Sequence, residues 1–167
     1  MVTHHELEIS RSVADTGPGR LNLPRSRIAN VLLATDLSDV SAGATDQAVE
    51  LCRALSARLL VVNVIDLRHG LGRQLMNARE PRLDQLRAER ERRLLTIVER
   101  ARRDGVVATF LVWTGEPGQS IVSAAEAEGA DLVVVGTRAL DRAGRFLLGS
   151  VSDYVVNRSP CPVLIAR

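Results

Sequence analysis

The sequence predicts a single α/β domain in which a doubly wound, five-stranded parallel sheet is sandwiched by helices. Of the 167 residues, 46% are hydrophobic but only 2% are aromatic, so the core must be aliphatic, as it is in buried parallel sheets. Short aliphatic runs also alternate along the chain with amphipathic segments, a pattern typical of right-handed β-α-β crossovers. The length suits one well-buried domain and is too short for two ordinary ones.

Two parts of the chain are predicted. Residues 1–27 combine charged residues with Pro and Gly and show no hydrophobic periodicity, so we expect a flexible extension there. Residues 28–167 then form the folded domain. Its strand candidates are residues 31–35, 59–65, 106–113, 132–136 and 163–166.

The segments between the strands predict helices. The first repeats apolar side chains at helical spacing, and Ser38 or Asp39 can cap its start. The third follows Pro117 and ends at Gly129, because Pro favours the first position of a helix and Gly its end. The four candidates are residues 41–57, 80–103, 117–129 and about 150–158.

The segment 80–103 is dense in Arg and Glu. Its apolar residues lie along one helical stripe, so the charged residues are expected on a solvated face. Pairs four residues apart, such as Glu89 with Arg93, account for the charge run through salt bridges within the helix. We therefore expect this helix to have a structural role rather than to bind a ligand.

Composition excludes several classes of protein. All 22 basic residues are Arg, which rules out a Schiff-base Lys and the Lys of the phosphate loop G-x-x-x-x-G-K-[ST]. A net charge of +2 without a basic block gives little support to nucleic-acid binding. No apolar run approaches the roughly 20 residues that a membrane span needs, so no membrane partner is expected.

Cysteine usage favours a cytoplasmic protein. Cys52 and Cys161 are too few and too far apart for a disulfide framework or a metal site, which fits a reducing compartment. Residues 1–27 also lack the apolar stretch of a signal peptide. The His residues fall outside any recognisable core constellation, so no residue is predicted to be catalytic or to bind a metal.

The carboxyl edge of the predicted sheet is the expected place for a ligand. In a doubly wound sheet, ligands bind outside the carboxyl ends of the strands, where the winding reverses. Asp66 and Arg68 fall near this edge and could reach a metal-bound phosphate or only pair with each other, and the structural or solvated interpretation is preferred. The segments at the edge are residues 35–38, 63–66, 115–118 and those from Gly136 onward.

The segment 136–152 has the layout of an anion site. It leaves a strand at Gly136 and enters the last helix through Gly149 and Ser150. Glycine lets backbone N–H groups approach a phosphate closely, and a helix start adds N–H donors with a partial positive charge. Ser150 and Ser152 can add hydroxyl groups. The residues alone leave open whether this is a phosphate cradle or a plain connection, because Gly and Ser are also ordinary caps.

At this segment the sequence resembles the universal stress protein family, whose nucleotide-binding members carry the pattern G-2x-G-9x-G-[S/T]. Gly136 matches the first Gly, and Ala139 stands where the family has its second Gly. Nine residues separate Ala139 from Gly149, which with Ser150 matches the end of the pattern. The resemblance spans about residues 28–167. It includes the strings Ala34-Thr35-Asp36-Leu37-Ser38, Val62-Asn63-Val64-Ile65-Asp66, Gly115-Glu116-Pro117 and Pro160-Cys161-Pro162-Val163-Leu164.

The resemblance implies a Rossmann-like fold of the adenine nucleotide alpha hydrolase-like type and a site for ATP, with or without Mg²⁺. Asp36 would contact the ribose or adenine side, and Val64 would contact adenine through its backbone. Asp36 could instead simply cap the first helix, and Val64 would be part of the core in either case. The full predicted nucleotide site is Thr35, Asp36, Val64, Gly136, Arg138, Ala139, Gly149, Ser150, Val151 and Ser152. Of these, Gly136, Gly149, Ser150, Val151 and Ser152 would contact the phosphates.

Three functions follow as hypotheses. The preferred one is a nucleotide-binding stress-response module that acts through nucleotide-dependent association rather than turnover. The second is an interaction protein of the same fold that does not bind nucleotide, which Ala139 favours. A slow ATP hydrolase is the least supported, since Lys is absent and no metal cluster is visible.

A homodimer is expected through the strand at the end of the domain. Residues 163–166 form a short apolar strand, and the resemblance places it at a sheet edge. The unpaired backbone groups of an edge strand can pair with a second copy of the chain.

Overall fold

The computed structural model describes residues 28–66, 81–136 and 149–166, and the predicted extension therefore lies outside the described residues. Strands and helices alternate along the chain. The strands are β1 (Asn30–Ala34), β2 (Arg58–Ile65), β3 (Ala108–Thr114), β4 (Leu132–Gly136) and β5 (Val163–Ala166). The helices are α1 (Ala42–Leu55), α2 (Pro81–Arg103), α3 (Pro117–Ala127) and α4 (Ser150–Arg158), and a short 3₁₀ turn (Asp39–Ser41) precedes α1.

The strands form one parallel sheet in the order β3-β2-β1-β4-β5. The chain first winds from β1 to β2 and β3, and then crosses back to β4 and β5 on the other side of β1. The predicted doubly wound α/β fold is therefore confirmed. The boundaries agree with the predicted ones within two residues, and the largest difference at a strand is the start of β3 at Ala108.

Helices cover both faces of the sheet, as the aliphatic strands require. Alternate residues of β1 point to opposite faces: Leu33 packs on the side of α1 and α2, and Leu32 packs on the side of α3 and α4. The first cluster also contains Val61, Ala48, Leu94 and Val98, and the second also contains Val62, Val133, Ala124 and Val155. Cys52 belongs to the first core cluster, while Cys161 is half-buried, and both are free thiols.

The helix starts show how local sequence sets the elements. The predicted cap of α1 at Ser38 or Asp39 is wrong, because Ser41 stands at the cap position of that helix. Ser38 instead occupies the cap position of the preceding 3₁₀ turn, and its side chain makes no capping bond. At α3, Pro117 is the first residue, and the Glu116 carboxylate accepts from the N–H groups of Gly118 (3.2 Å) and Gln119 (2.6 Å). The Pro-first prediction for α3 is thus confirmed.

Helix α2 is amphipathic as predicted, with Leu94 and Val98 buried against the sheet. Its charged side chains also reach other elements. Arg100 binds Asp46 of α1 at 2.8 Å, and Arg90 and Arg93 reach the loop after β1. Within the ranges that the structure describes, no helix is both long enough and apolar enough to cross a membrane.

Candidate nucleotide site

The carboxyl ends of β1, β2 and β4 lie side by side where the winding reverses. Thr35 and Asp36 follow β1, Val64 lies near the end of β2, and Gly136 ends β4. The first turn of α4 supplies Gly149, Ser150, Val151 and Ser152. Two predicted site residues, Arg138 and Ala139, lie outside the described residues.

The Thr35 side chain makes its hydrogen bonds within its own loop. Its Oγ1 accepts from the N–H of Leu37 at 3.0 Å and lies 3.0 Å from Ser41 Oγ. Ser41 donates its single hydroxyl hydrogen to the carbonyl of Ser38 (2.7 Å), so Thr35 is the donor to Ser41. Thr35 therefore shapes the loop, and its buried hydroxyl group is not a free ligand donor.

The Asp36 side chain is exposed at the carboxyl edge. Its Oδ1 accepts from both the N–H (3.0 Å) and the hydroxyl (2.6 Å) of Ser38, which fixes the direction of the carboxylate. The sequence left open whether Asp36 caps or binds a ligand. Asp36 does stabilise the turn before α1, and the fixed, exposed carboxylate also suits a hydrogen bond to a ribose hydroxyl group.

The backbone of Val64 points into the crevice. In a parallel strand both backbone groups of a residue face the same neighbouring strand. The carbonyl of Val62 accepts from Thr35 N–H (3.0 Å) and that of Ile65 accepts from Gly115 N–H (3.1 Å), so even-numbered residues of β2 face β1. The β1–β2 register ends at Ala34 and Val62. Val64 therefore directs its N–H and C=O groups past the end of β1, while its half-buried side chain packs on the core.

Gly136 lies beside the start of α1 and is tied to α4. The Ser152 hydroxyl donates to the Gly136 carbonyl at 3.0 Å, which holds the start of α4 at the end of β4. A Cβ added to Gly136 would lie 3.6 Å from Ala44 Cβ, an ordinary contact, and its φ lies outside the left-handed region. Among the described residues, neither packing nor backbone conformation requires glycine at this position.

The start of α4 presents backbone donors. Gly149 occupies the cap position with φ −64° and ψ 155°, a conformation that any residue adopts. Because Gly149 has no side chain, it cannot cap the first N–H groups of the helix. Ser150 is exposed there, whereas the hydroxyl of Ser152 already donates to Gly136. The expectation that both hydroxyls serve a phosphate therefore fits Ser150 better than Ser152.

Three side chains at this edge were not predicted as site residues. Asn63 donates to the carbonyl of Thr35, and Arg90 and Arg93 donate to the next two carbonyls along the chain. Asn63 could have been noticed, because it is a polar residue within the apolar string Val61-Val62-Asn63-Val64-Ile65. Helical periodicity gave no such signal for the two arginines.

A cleft of about 290 Å³ opens beside this loop, between α1 and α2. It is lined by Thr35, Ser41, Thr45, Arg93 and Arg100 among others, but the exposed surface of its wall is mainly apolar. Among the described residues, no group of three or more His, Cys, Asp and Glu side chains could hold a metal ion.

Comparison with known proteins gives the family. A sequence model of the universal stress protein family matches residues 28–167. This chain belongs to the universal stress protein family. Universal stress protein YxiE of Bacillus subtilis is 34% identical over 151 residues, covering 82% of this chain and 97% of that protein. A universal stress protein of Thermus aquaticus is 36% identical over 142 residues, covering 82% of this chain and 97% of that protein.

A solved structure extends the comparison to three dimensions. The crystal structure of a universal stress protein in complex with cAMP superimposes with a TM-score of 0.61 and 30% identity, covering 85% of this chain and 98% of that chain. The universal stress protein described here therefore shares both sequence and fold with a nucleotide-binding relative.

Proposed function

We propose that this universal stress protein binds ATP, alone or with Mg²⁺, in the crevice at the carboxyl ends of β1, β2 and β4. The observation that carries the proposal is the pair of glycines at the two ends of the family pattern. Gly136 and Gly149 both have backbone conformations open to other residues, and a Cβ at Gly136 would make only an ordinary contact. A ligand that comes close to the backbone would explain why glycine occupies these two positions, because any side chain would block its approach.

The surrounding groups supply complementary chemistry for each part of the nucleotide. The N–H and C=O groups of Val64 form a donor and acceptor pair suited to an adenine edge, and the Asp36 carboxylate suits a ribose hydroxyl group. The N–H groups at the start of α4 and the Ser150 hydroxyl suit the phosphates. The cAMP complex of the 30% identical relative supports an adenine nucleotide as ligand.

Substitution of Gly149 tests the phosphate assignment. Gly149→Val should abolish Mg-ATP binding, and Gly149→Ala should weaken it, because a side chain enters the space in front of the α4 N–H groups. Isothermal titration measures binding, and circular dichroism verifies that both variants fold, as φ −64° at this residue allows. If folded Gly149→Val binds ATP as tightly as the parent, the phosphates do not lie at α4.

A second candidate function is an interaction protein that does not bind nucleotide, and Ala139 favours it. If the family needs Gly there for a positive φ, Ala costs roughly 1–2 kcal/mol and weakens ATP binding about tenfold. We expect Ala139→Gly to bind Mg-ATP several-fold more tightly than the parent. Equal affinities would show that Ala139 is tolerated, and no binding by either protein would support the second candidate.

Nucleotide-dependent association is the proposed mode of action, with a homodimer formed through β5. This strand lies at the edge of the sheet, and its Leu164 side chain is 36% exposed. We expect light scattering to give about twice the 18.2 kDa mass of the chain, and Leu164→Lys to lower that mass because charged residues block edge pairing. A parent protein that stays at 18.2 kDa with and without nucleotide would contradict this.

A further inference from the structure

Three successive carbonyl groups in the loop after β1 accept hydrogen bonds from side chains of other elements. We call the three donor residues the carbonyl clamp. Asn63 Nδ2 donates to the Thr35 carbonyl at 2.8 Å, Arg90 Nη1 donates to the Asp36 carbonyl at 3.4 Å, and Arg93 Nη2 donates to the Leu37 carbonyl. The clamp thus joins β2 and α2 to the backbone that carries the Asp36 carboxylate.

The loop needs such support because Leu37 adopts an unfavourable backbone conformation. Its φ is +63°, in the left-handed region that side chains other than Gly, Asn and Asp rarely adopt. Strain of this kind persists only where surrounding contacts determine the conformation. The Leu37 side chain is 7% exposed in the core, and the Arg93 guanidinium holds its carbonyl from outside.

The clamp is poorly explained by stability alone. Asn63 is 2% exposed, and its Oδ1 has no hydrogen-bond partner among the described residues. The buried Nε of Arg90 is likewise without a partner there. Unsatisfied buried polar atoms destabilise a fold, so an apolar side chain would suit position 63 better if packing were its only role.

We propose that Asn63, Arg90 and Arg93 are positioning residues that hold the Asp36 loop in the geometry needed to bind a nucleotide. This proposal rests on the proposed function. The clamp acts through Asp36, since the loop conformation also sets the bonds from the N–H and hydroxyl of Ser38 to the Asp36 carboxylate. The proposal gives helix α2 a role at the site, although its charged face was expected only to be solvated.

A double-mutant cycle that measures Mg-ATP affinity tests whether the clamp acts through Asp36. Arg93→Ala should weaken binding about tenfold, and Arg93→Lys should restore part of the affinity, because Lys keeps one donor. Arg92→Ala is the control, since Arg92 is an exposed neighbour on the same helix. In an Asp36→Ala background, Arg93→Ala should have little further effect. Full additivity in that background, or unchanged affinity of Arg93→Ala, would overturn the proposal.

Hydrogen exchange without nucleotide tests the clamp independently of ATP binding. The amides of Leu37 and Ser38 donate to Thr35 Oγ1 and Asp36 Oδ1, so their exchange rates report the loop conformation. Asn63→Leu and Arg93→Ala should speed their exchange severalfold, while Arg92→Ala should not. If the parent binds no nucleotide, the proposed function fails, and the exchange rates still decide whether the clamp holds the loop. Unchanged exchange in both clamp variants would refute it.

Discussion

Replacing Gly118 by Ala should displace the helix that begins at the proposed phosphate site. Gly118 lies in the first turn of α3 and packs against Tyr154 of α4. A Cβ at this position would lie 2.8 Å from both Cδ1 and Cγ of Tyr154 and 3.0 Å from its Cβ. These atoms are at the root of the ring, so rotation of the side chain alone cannot make room, and α4 itself must shift.

The cost follows from these distances. The root of the ring must move by about 0.6 Å to reach the ordinary contact distance of 3.4 Å. Overpacking of this kind costs roughly 1–3 kcal/mol, and the better helix propensity of Ala offsets less than about 1 kcal/mol in a first turn. We expect a net loss of about 1–2 kcal/mol in the free energy of unfolding, or roughly 2–8 °C in Tm.

Thermal unfolding and Mg-ATP titration measure the two consequences. Tyr154 lies one turn after Ser150, so displacement of α4 should also weaken ATP binding severalfold. In a Tyr154→Ala background the two ring contacts are gone and only the 3.0 Å contact with Cβ remains, so Gly118→Ala should cost clearly less than in the parent. A higher Tm for Gly118→Ala in the parent, or the same effect in both backgrounds, would refute the packing argument.

Two further predictions concern ionisable groups. The N–H groups of Ala29 and Asn30, each 2.9 Å from Asp131 Oδ2, lower the pKa of that carboxyl, so its contribution to stability is present above about pH 4 and is lost as pH falls through the lowered pKa. Asp131→Asn should therefore reduce the free energy of unfolding by about 1 kcal/mol at pH 7 and have little effect at about pH 2, as measured by urea titration. Burial raises the pKa of Cys52 from 9.0 to about 11, so its contribution is present below pH 9.0 and declines as pH rises toward 11. Cys52→Ala should show a smaller decline of stability between pH 9.0 and 11, and an unchanged slope would contradict this.

The sheet could be predicted from the sequence because its strands are aliphatic runs separated by helices. Parallel strands align their carboxyl ends, and this placed Thr35, Asp36, Val64 and Gly136 at one edge without any knowledge of their contacts. What each side chain does there could not be predicted. A sequence shows that Thr35 has a hydroxyl group, but not that this hydroxyl is already hydrogen-bonded to Ser41.

The contacts of the α2 arginines with the loop after β1 could not be predicted from the sequence, and the reason is physical. Helical periodicity describes where a side chain leaves the helix, and Arg93 does leave on the charged face. Its side chain is long and flexible, so the guanidinium can reach a distant group. Here it binds the carbonyl of Leu37, 56 residues earlier in the chain. Leu37 lies outside the strands and helices and has a left-handed φ of +63°, and its carbonyl accepts the hydrogen bond from Arg93. Residues on the charged face of a helix can thus contact a neighbouring loop, and only the folded structure shows which of them do so.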